Sequence, residues 1–290
     1  MASREGTLYT VSFAAVVCIV CAVLVSVPAV TLRPRQELNR RLDEQKNVLR
    51  AAGLVDPGQA LSRERVAQLF AENVQPVVID LASGEPRPGI DAASFDQRTA
   101  TADPQRSRAI PANPAKVLRT PYDALVYEVK KGDRVEMYVF PVTGKGLWST
   151  LYGFLALDAD LETIRGLTFY EHGETPGLGG EIENPAWQKL WQGRRAFGPD
   201  GKPRIEVIKG HAGPPAADPY HVDGLSGATM TSNGVTALVQ FWLGDAGYGP
   251  FLEKLREEAR QASAPSSAGD AGGGERVADG AGGSAATASG

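Results

Sequence analysis

Between Asp223 and Ser232 the chain sets four hydroxyl side chains, Ser226, Thr229, Thr231 and Ser232, among two glycines and one carboxylate. Hydroxyls on a small-residue backbone can accept an ester or hold a phosphate. Gly227 can take φ > 0 and lets a ligand come close to the main chain. Immediately downstream, Val235, Leu238, Val239, Trp242 and Leu243 recur at i, i+3, i+4, i+7 and i+8, the apolar face of a helix. Thr231, Ser232 and Asn233 are the candidate N-caps of that helix. A helix start offers free N–H groups and the positive end of the dipole, a favourable place for a phosphate. Taken alone the turn also reads as an ordinary capped helix.

Two further stretches stand upstream of it. One is Gly144-Lys145-Gly146-Leu147-Trp148-Ser149-Thr150-Leu151-Tyr152-Gly153-Phe154, and the other runs from Glu171-His172-Gly173-Glu174-Thr175-Pro176-Gly177-Leu178-Gly179 to Pro185. In this order, behind an N-terminal apolar segment, the three resemble the C subunit of the Na+-translocating NADH:quinone reductase over roughly residues 7 to 260. In that family Asp-x-x-Ser-Gly-Ala-Thr is the sequence on which a flavin transferase esterifies FMN, through its phosphate, to the last threonine.

The resemblance implies that Thr229 is the acceptor, with Ser226, Thr231 and Ser232 as its competitors and Gly227 and Ala228 completing the cofactor-binding turn. Asp223 would be read by the transferase or act as a local turn cap. By the same resemblance the glycine-bearing loop Glu174, Thr175, Gly177 and Leu178 lies against the flavin, with Leu178 covering the ring. Lys145 and Trp148 offer it a cation and an aromatic face, or serve as a loop lysine and a core tryptophan. Electrons would pass from NADH through FAD and iron–sulfur centres to this FMN, then to a second covalent FMN on the B subunit, and finally to ubiquinone. Na+ export would be coupled elsewhere in a complex with the A, B, D, E and F subunits. The chain would thus be part of a translocase without a complete active site of its own, and no catalytic acid or base is named. The G subunit of the related ferredoxin:NAD+ oxidoreductase shares the anchor and the acceptor motif, while Gly-Lys-Gly-Leu-Trp-Ser-Thr favours the quinone reductase. A tethered, non-redox binding protein with a plain helix cap is the reading from another class.

Other chemistries find little support. There is no Gly-x-Gly-x-x-Gly and no phosphate loop ending in Gly-Lys-Ser/Thr, so NADH binding is not expected here. The chain lacks the cysteine set of an iron–sulfur cluster. His211 and His221 have no zinc spacing, and His172 stands where the family would carry a polar amide. A net charge of -4 and a pI near 5.5, with no basic stripe, argue against nucleic acid as a partner.

Residues 7–30 carry no charge and are long enough, at ~1.5 Å per residue, to span the ~30 Å hydrocarbon layer. They read as an uncleaved transmembrane helix; a signal peptide is the alternative. Cys18 and Cys21 fall inside this span, where they read as small apolar packing residues. Arg33, Arg35, Arg40 and Arg41 follow it and only Arg4 precedes it, which by the positive-inside rule keeps the bulk of the chain cytoplasmic. The resemblance implies the opposite: a single pass through the cell inner membrane, in contact with membrane lipid, with the FMN domain periplasmic.

Behind the six-residue N-terminal segment 1–6 and the span 7–30, residues 31–118 form a membrane-proximal part. Helices are expected at 35–52, stopped by Gly53, and at about 62–72 from Ser62, then a strand from Pro76, then an irregular surface excursion over 82–118. Residues 119–261 form the FMN-binding domain. Strands are expected at 122–130, 134–142, 151–157 and 163–170, joined by turns short enough to make the sheet antiparallel. A short helix at 185–193, a strand at 204–209, the motif helix and a last helix at about 249–261 complete an α+β domain with a mainly antiparallel sheet and flanking helices. From 262 to 290 the chain is almost all Ala, Gly, Ser and Asp, a tract too poor in apolar surface to offset its ordering entropy.

Overall fold

The computed structural model describes residues 3–56 and 58–263. Helix α1, Ser3–Ala51, is one rod of 49 residues, so the apolar span and the helix expected at 35–52 are continuous. Pro28 falls inside it, where it has no N–H to give to the ladder. An 18-residue window within residues 6–33 of this rod reaches a mean hydropathy of 2.8, and none of it is buried against the rest of the protein. The 28 residues of 6–33 are long and apolar enough to cross a membrane. Gly53 ends α1 at φ +69, with Leu54 N–H donating to the Leu49 carbonyl at 2.9 Å, the left-handed stop that glycine permits.

Ser62 caps helix α2 (Arg63–Asn73), its hydroxyl accepting from Arg65 N–H at 3.2 Å. Strand β1 (Val74–Asp80) follows directly. The excursion over 82–118, expected to be irregular, carries a short helix α3 (Gln97–Ala102) and strand β2 (Ser107–Ala109), which pairs with β3 (Arg119–Pro121). Local polar bonds make this order without periodicity: Asp96 caps α3, and the Arg119 guanidinium donates to the Ser107 hydroxyl and carbonyl.

Strands β4 (Asp123–Lys131), β5 (Arg134–Lys145), β6 (Thr150–Asp158) and β7 (Ile164–Glu171) form a meander, and β1 adds at the β4 edge to give the order β1-β4-β5-β6-β7, antiparallel throughout. Side chains alternate across this sheet, and both faces are covered. Tyr127, Val139 and Phe154 point to one face and pack with Val48, Leu49 and Val66 of α1 and α2. Val126, Phe140, Leu155 and Leu167 point to the other and pack with the C-terminal helices. The sheet is therefore the middle of three layers.

After β7 come helix α4 (Pro185–Lys189), with Pro185 in its first turn and Asn184 as its cap, and two short strands, β8 (Glu206–Val207) and β9 (His221–Val222). These two pair in parallel, and the strand expected at 204–209 is reduced to two residues. Helix α5, Thr229–Leu243, and helix α6, Gly249–Ser263, close the fold. The low-complexity tail expected from 262 lies, from 264 on, outside the described residues.

Helix α5 seats on β5 through two glycines. A Cβ on Gly234 would stand 2.5 Å from the Lys145 carbonyl oxygen, and one on Gly144 would stand 2.8 Å from Leu238 Cβ. Trp242 Nε1 donates to the Thr143 carbonyl at 2.6 Å and fixes the far end of the contact. That docking sets where the first residue of α5, Thr229, emerges.

Candidate functional site

The hydroxyls of the 223–232 turn separate by position. Thr231 and Ser232 are buried, and both are engaged. Thr231 donates to Glu174 Oε2 at 2.6 Å, and Ser232 Oγ accepts from Leu225 N–H at 3.3 Å. Ser226 and Thr229 are exposed, and neither hydroxyl has a hydrogen-bond partner among the described residues.

The cap differs from the expectation. Helix α5 starts at Thr229, two residues before the first candidate cap, and its cap position is Ala228, which has no side-chain acceptor. The first helical bond to the cap residue is Ser232 N–H to the Ala228 carbonyl at 3.0 Å, so the N–H groups of Thr229, Met230 and Thr231 have no backbone acceptor among the described residues. Thr231 and Ser232 are drawn inward by Glu174 and Leu225, which leaves the helix start open. An uncapped helix start next to a free threonine hydroxyl fits a phosphate ester on that hydroxyl.

Glu174 ties the neighbouring turns together. It is 5% exposed, and its Oε1 accepts from the Trp148 and Ser149 N–H groups at 2.9 and 3.2 Å, while Oε2 accepts from Leu147 N–H at 3.2 Å besides Thr231. Burial pushes its pKa up, but the Thr231 hydroxyl and the three backbone donors outweigh it and hold the carboxyl below the ordinary glutamate range. The room around it is small: a Cβ on Gly146 would meet Glu174 Oε1 at 2.6 Å, and one on Gly179 would meet Thr231 Oγ1 at 2.5 Å. Glu174 therefore points into the protein rather than toward a ligand.

The following residues make a turn. Pro176 and Gly177, at φ +75, occupy its centre, and Leu178 N–H donates to the Thr175 carbonyl at 3.1 Å. It carries Leu178 to Gly227, where Leu178 Cδ2 lies 2.9 Å from the place a Cβ would take. Gly227 is at φ +70, a left-handed conformation that calls for glycine. Leu147, Trp148, Leu178 and Met230 are all exposed in the turns that Glu174 and Gly227 draw together. Trp148 is 66% exposed, which removes its reading as a core tryptophan.

Asp223 is a strut. Its carboxylate meets His211 Nδ1 at 2.7 Å and accepts from Ala212 N–H at 2.9 Å, and its carbonyl accepts from Trp187 Nε1 at 2.8 Å. Burial raises its pKa, yet these bonds prevail and hold it below the ordinary aspartate range. Lys145 Nζ donates to the Trp148 carbonyl at 3.1 Å, and the residue lines a cavity on the α1 side of the sheet. His172 Nδ1 accepts from Glu174 N–H at 3.1 Å, and its Nε2 stands 3.0 Å from Glu183 Oε1. Ser149, whose hydroxyl accepts from Gly173 N–H at 2.6 Å, and Met230 were not singled out from sequence. Met230 could have been found, since it follows Thr229 directly.

A family model described as FMN-binding domain matches residues 146–244, which include all of these turns. The chain is 47% identical to the C subunit of the Na(+)-translocating NADH-quinone reductase of Yersinia pestis, over 84% of this chain and 91% of that one. The corresponding protein of Pseudomonas aeruginosa is 45% identical over 89% and 99%. The chain belongs to this C-subunit family. It is therefore a component of an oxidoreductase complex, with an FMN-binding domain and an N-terminal helix that suits membrane anchoring. The fold agrees: the crystal structure of Shewanella oneidensis NqrC superposes with a TM-score of 0.69 at 36% identity, covering 76% of this chain and 99% of that one. The C subunit from Parabacteroides distasonis gives 0.58 at 27% identity, covering 76% and 96%.

Proposed function

We propose that this protein carries FMN as a phosphodiester on Thr229 and relays electrons through it within a Na+-pumping NADH:ubiquinone reductase. The observation that carries the reading is the sorting of the hydroxyls. Thr229 is exposed and unengaged at an uncapped helix start, while Thr231 and Ser232 are buried and bonded. Ser226 is the remaining exposed rival, and it lies outside the helix.

In this reading the Thr229 hydroxyl gives up its proton and displaces a nucleoside monophosphate from the flavin-bearing phosphorus of a flavin dinucleotide held by the transferase, which leaves the flavin phosphate as a singly charged diester on Thr229. The open N–H groups of Met230 and Thr231 and the positive end of α5 hold the remaining charge. Gly227 lets the phosphate approach the main chain, and Ala228 keeps the helix start clear. Leu178, Trp148 and Met230 offer apolar surface that keeps water from one side of the ring, with Thr175 and the backbone near Gly177 as hydrogen-bonding partners. Lys145 contributes by fixing the Trp148 carbonyl. Bound FMN supplies the redox chemistry, and the protein supplies position and tuning.

The wider assignment follows the family. The FMN-binding unit is residues 119–261, α1 spans the cell inner membrane, and the flavin domain faces the periplasm. The second covalent FMN, on the B subunit, is the redox partner, and a flavin transferase that reads Asp223 loads the cofactor during maturation. Peptide mass mapping of the protein from its native membrane tests this. FMN is expected on the peptide containing Thr229, and an unmodified peptide from a host with an active transferase would refute the attachment.

A further inference from the structure

The sheet face turned away from Thr229 carries a cavity of about 760 Å³, bounded by α1, the 92–119 excursion and strands β4 to β7. Its size falls within the range of about 300–1,000 Å³ typical of small-molecule sites. Phe70, Phe95, Tyr127 and Phe154 give it an aromatic wall. Six basic side chains line it against two acidic ones, Glu44 and Asp96, in a chain whose formal net charge is -4.

Four of those cations are already engaged. Arg40 pairs with Asp96 at 2.6 Å, and Arg98 pairs with Glu171 at 2.6 Å while stacking on Tyr152. Arg119 donates to Ser107, and Lys145 to the Trp148 carbonyl. Arg41 and Lys116 have no ion pair or side-chain hydrogen bond among the described residues. Gln45 also lines the cavity, and its Oε1 is buried with no hydrogen-bond partner. The cavity thus combines apolar rings, two unengaged cations and an unsatisfied acceptor.

Its place along α1 narrows the ligand. The apolar stretch ends at Arg33, and Arg41 follows eight residues later, roughly 12 Å along the axis at 1.5 Å per residue. That distance puts the basic rim just above the headgroup layer of a bilayer crossed by α1. We propose that the cavity holds one anionic phospholipid drawn from that bilayer, its acyl chain against the ring wall and its phosphate between Arg41 and Lys116. A headgroup hydroxyl would satisfy Gln45 Oε1. A neutral amphiphile leaves the two cations unused, and a free anion leaves the rings unused. The proposal rests on α1 crossing a membrane and not on flavin attachment.

Native mass spectrometry tests it on the full-length chain, alone and within the purified complex, released from nanodiscs of equal phosphatidylglycerol and phosphatidylcholine. One retained phosphatidylglycerol per chain is expected, favoured about tenfold over phosphatidylcholine. Arg41→Ala with Lys116→Ala should abolish that preference, since neither side chain has an ion pair or hydrogen bond to lose among the described residues. Ala92→Trp, which fills the cavity, should remove both lipids with the unfolding temperature unchanged. The FMN mass is read in the same spectra, so a failure of flavin attachment is seen separately. The proposal is overturned by no retained lipid, by equal retention of the two lipids, or by a preference that survives the double substitution. Lipid on the isolated chain but not in the complex would assign the cavity to a neighbouring protein of the complex, and displacement of the lipid by inorganic phosphate would assign it to a free anion; either result rejects a resident lipid.

Discussion

Thr231 Oγ1 and Glu174 Oε2 lie 2.6 Å apart and buried, joining the first turn of α5 to the loop after β7 across 57 residues of sequence. The bond takes a hydroxyl away from the helix cap and so keeps the site beside Thr229 open. It also gives the acceptor motif two threonines with opposite duties, one outward for chemistry and one inward for structure.

Substitution should separate these duties. Thr229→Val is expected to abolish flavin attachment and leave the unfolding midpoint unchanged, because the side chain is exposed and has no hydrogen-bond partner among the described residues. Thr231→Val should instead cost about 1–3 kcal/mol by leaving a buried carboxylate one donor short, while the Thr229 hydroxyl remains. Flavin fluorescence on denaturing gels and urea unfolding read the two effects. Stable flavin on the Thr229→Val protein would sink the assignment.

Removing the carboxylate tests the other end. Glu174→Ala strands the Thr231 hydroxyl and three backbone N–H groups, at a cost of about 1–3 kcal/mol or more. Glu174→Gln keeps acceptor capacity and should lose less. Flavin content should fall further in the alanine variant than in the glutamine one, since the 147–149 turn is then free to shift. Equal stability and equal flavin content in both variants would argue against Glu174 as the tie between the turns.

Acid should weaken the site in a defined direction. Glu174 and Asp223 both have folded pKa values below their ordinary ones of 4.5 and 3.8. The unfolded chain therefore takes up protons first as pH falls, and the stability these groups contribute is present above the ordinary values and lost as pH passes through the folded ones. Urea midpoints measured from pH 6 downward should hold steady and then decline below about pH 4.5. The Glu174→Gln protein should show a shallower decline.

The glycines at the helix seat should be more sensitive than the loop glycine. Gly234→Ala pushes a methyl to 2.5 Å from the Lys145 carbonyl and should destabilise by about 1–3 kcal/mol while displacing Thr229. Gly177→Ala meets nothing within 4 Å but must hold φ +75, a left-handed conformation worth about 1–2 kcal/mol against alanine. Thermal unfolding measures both. Flavin loading should drop for Gly234→Ala even where the protein remains folded.

Much of the frame could be read locally. Strands β4 to β7 announced themselves because apolar residues and turn glycines lie close together in the chain, and Ser62 and Gly53 marked helix ends through their own side-chain and backbone chemistry. The order within 82–118 was not legible, since Asp96, Ser107 and Arg119 stabilise it by individual polar bonds that leave no periodic trace. Helix α5 starts ahead of its candidate caps for a related reason. Thr231 and Ser232 have the right chemistry for caps, and only partners distant in sequence draw them away.

The same division holds at the site. The residue types settled by themselves that a hydroxyl-rich turn precedes an apolar helix, and that an apolar segment long enough to span a bilayer precedes everything else, because composition and spacing act within a few residues. Which hydroxyl is left free was decided only when the sheet brought Glu174 beneath Thr231 and Leu178 against Gly227. Those contacts depend on the packing of β5, β7 and α5 against one another, and burial is a property of that packing, not of the residues one at a time.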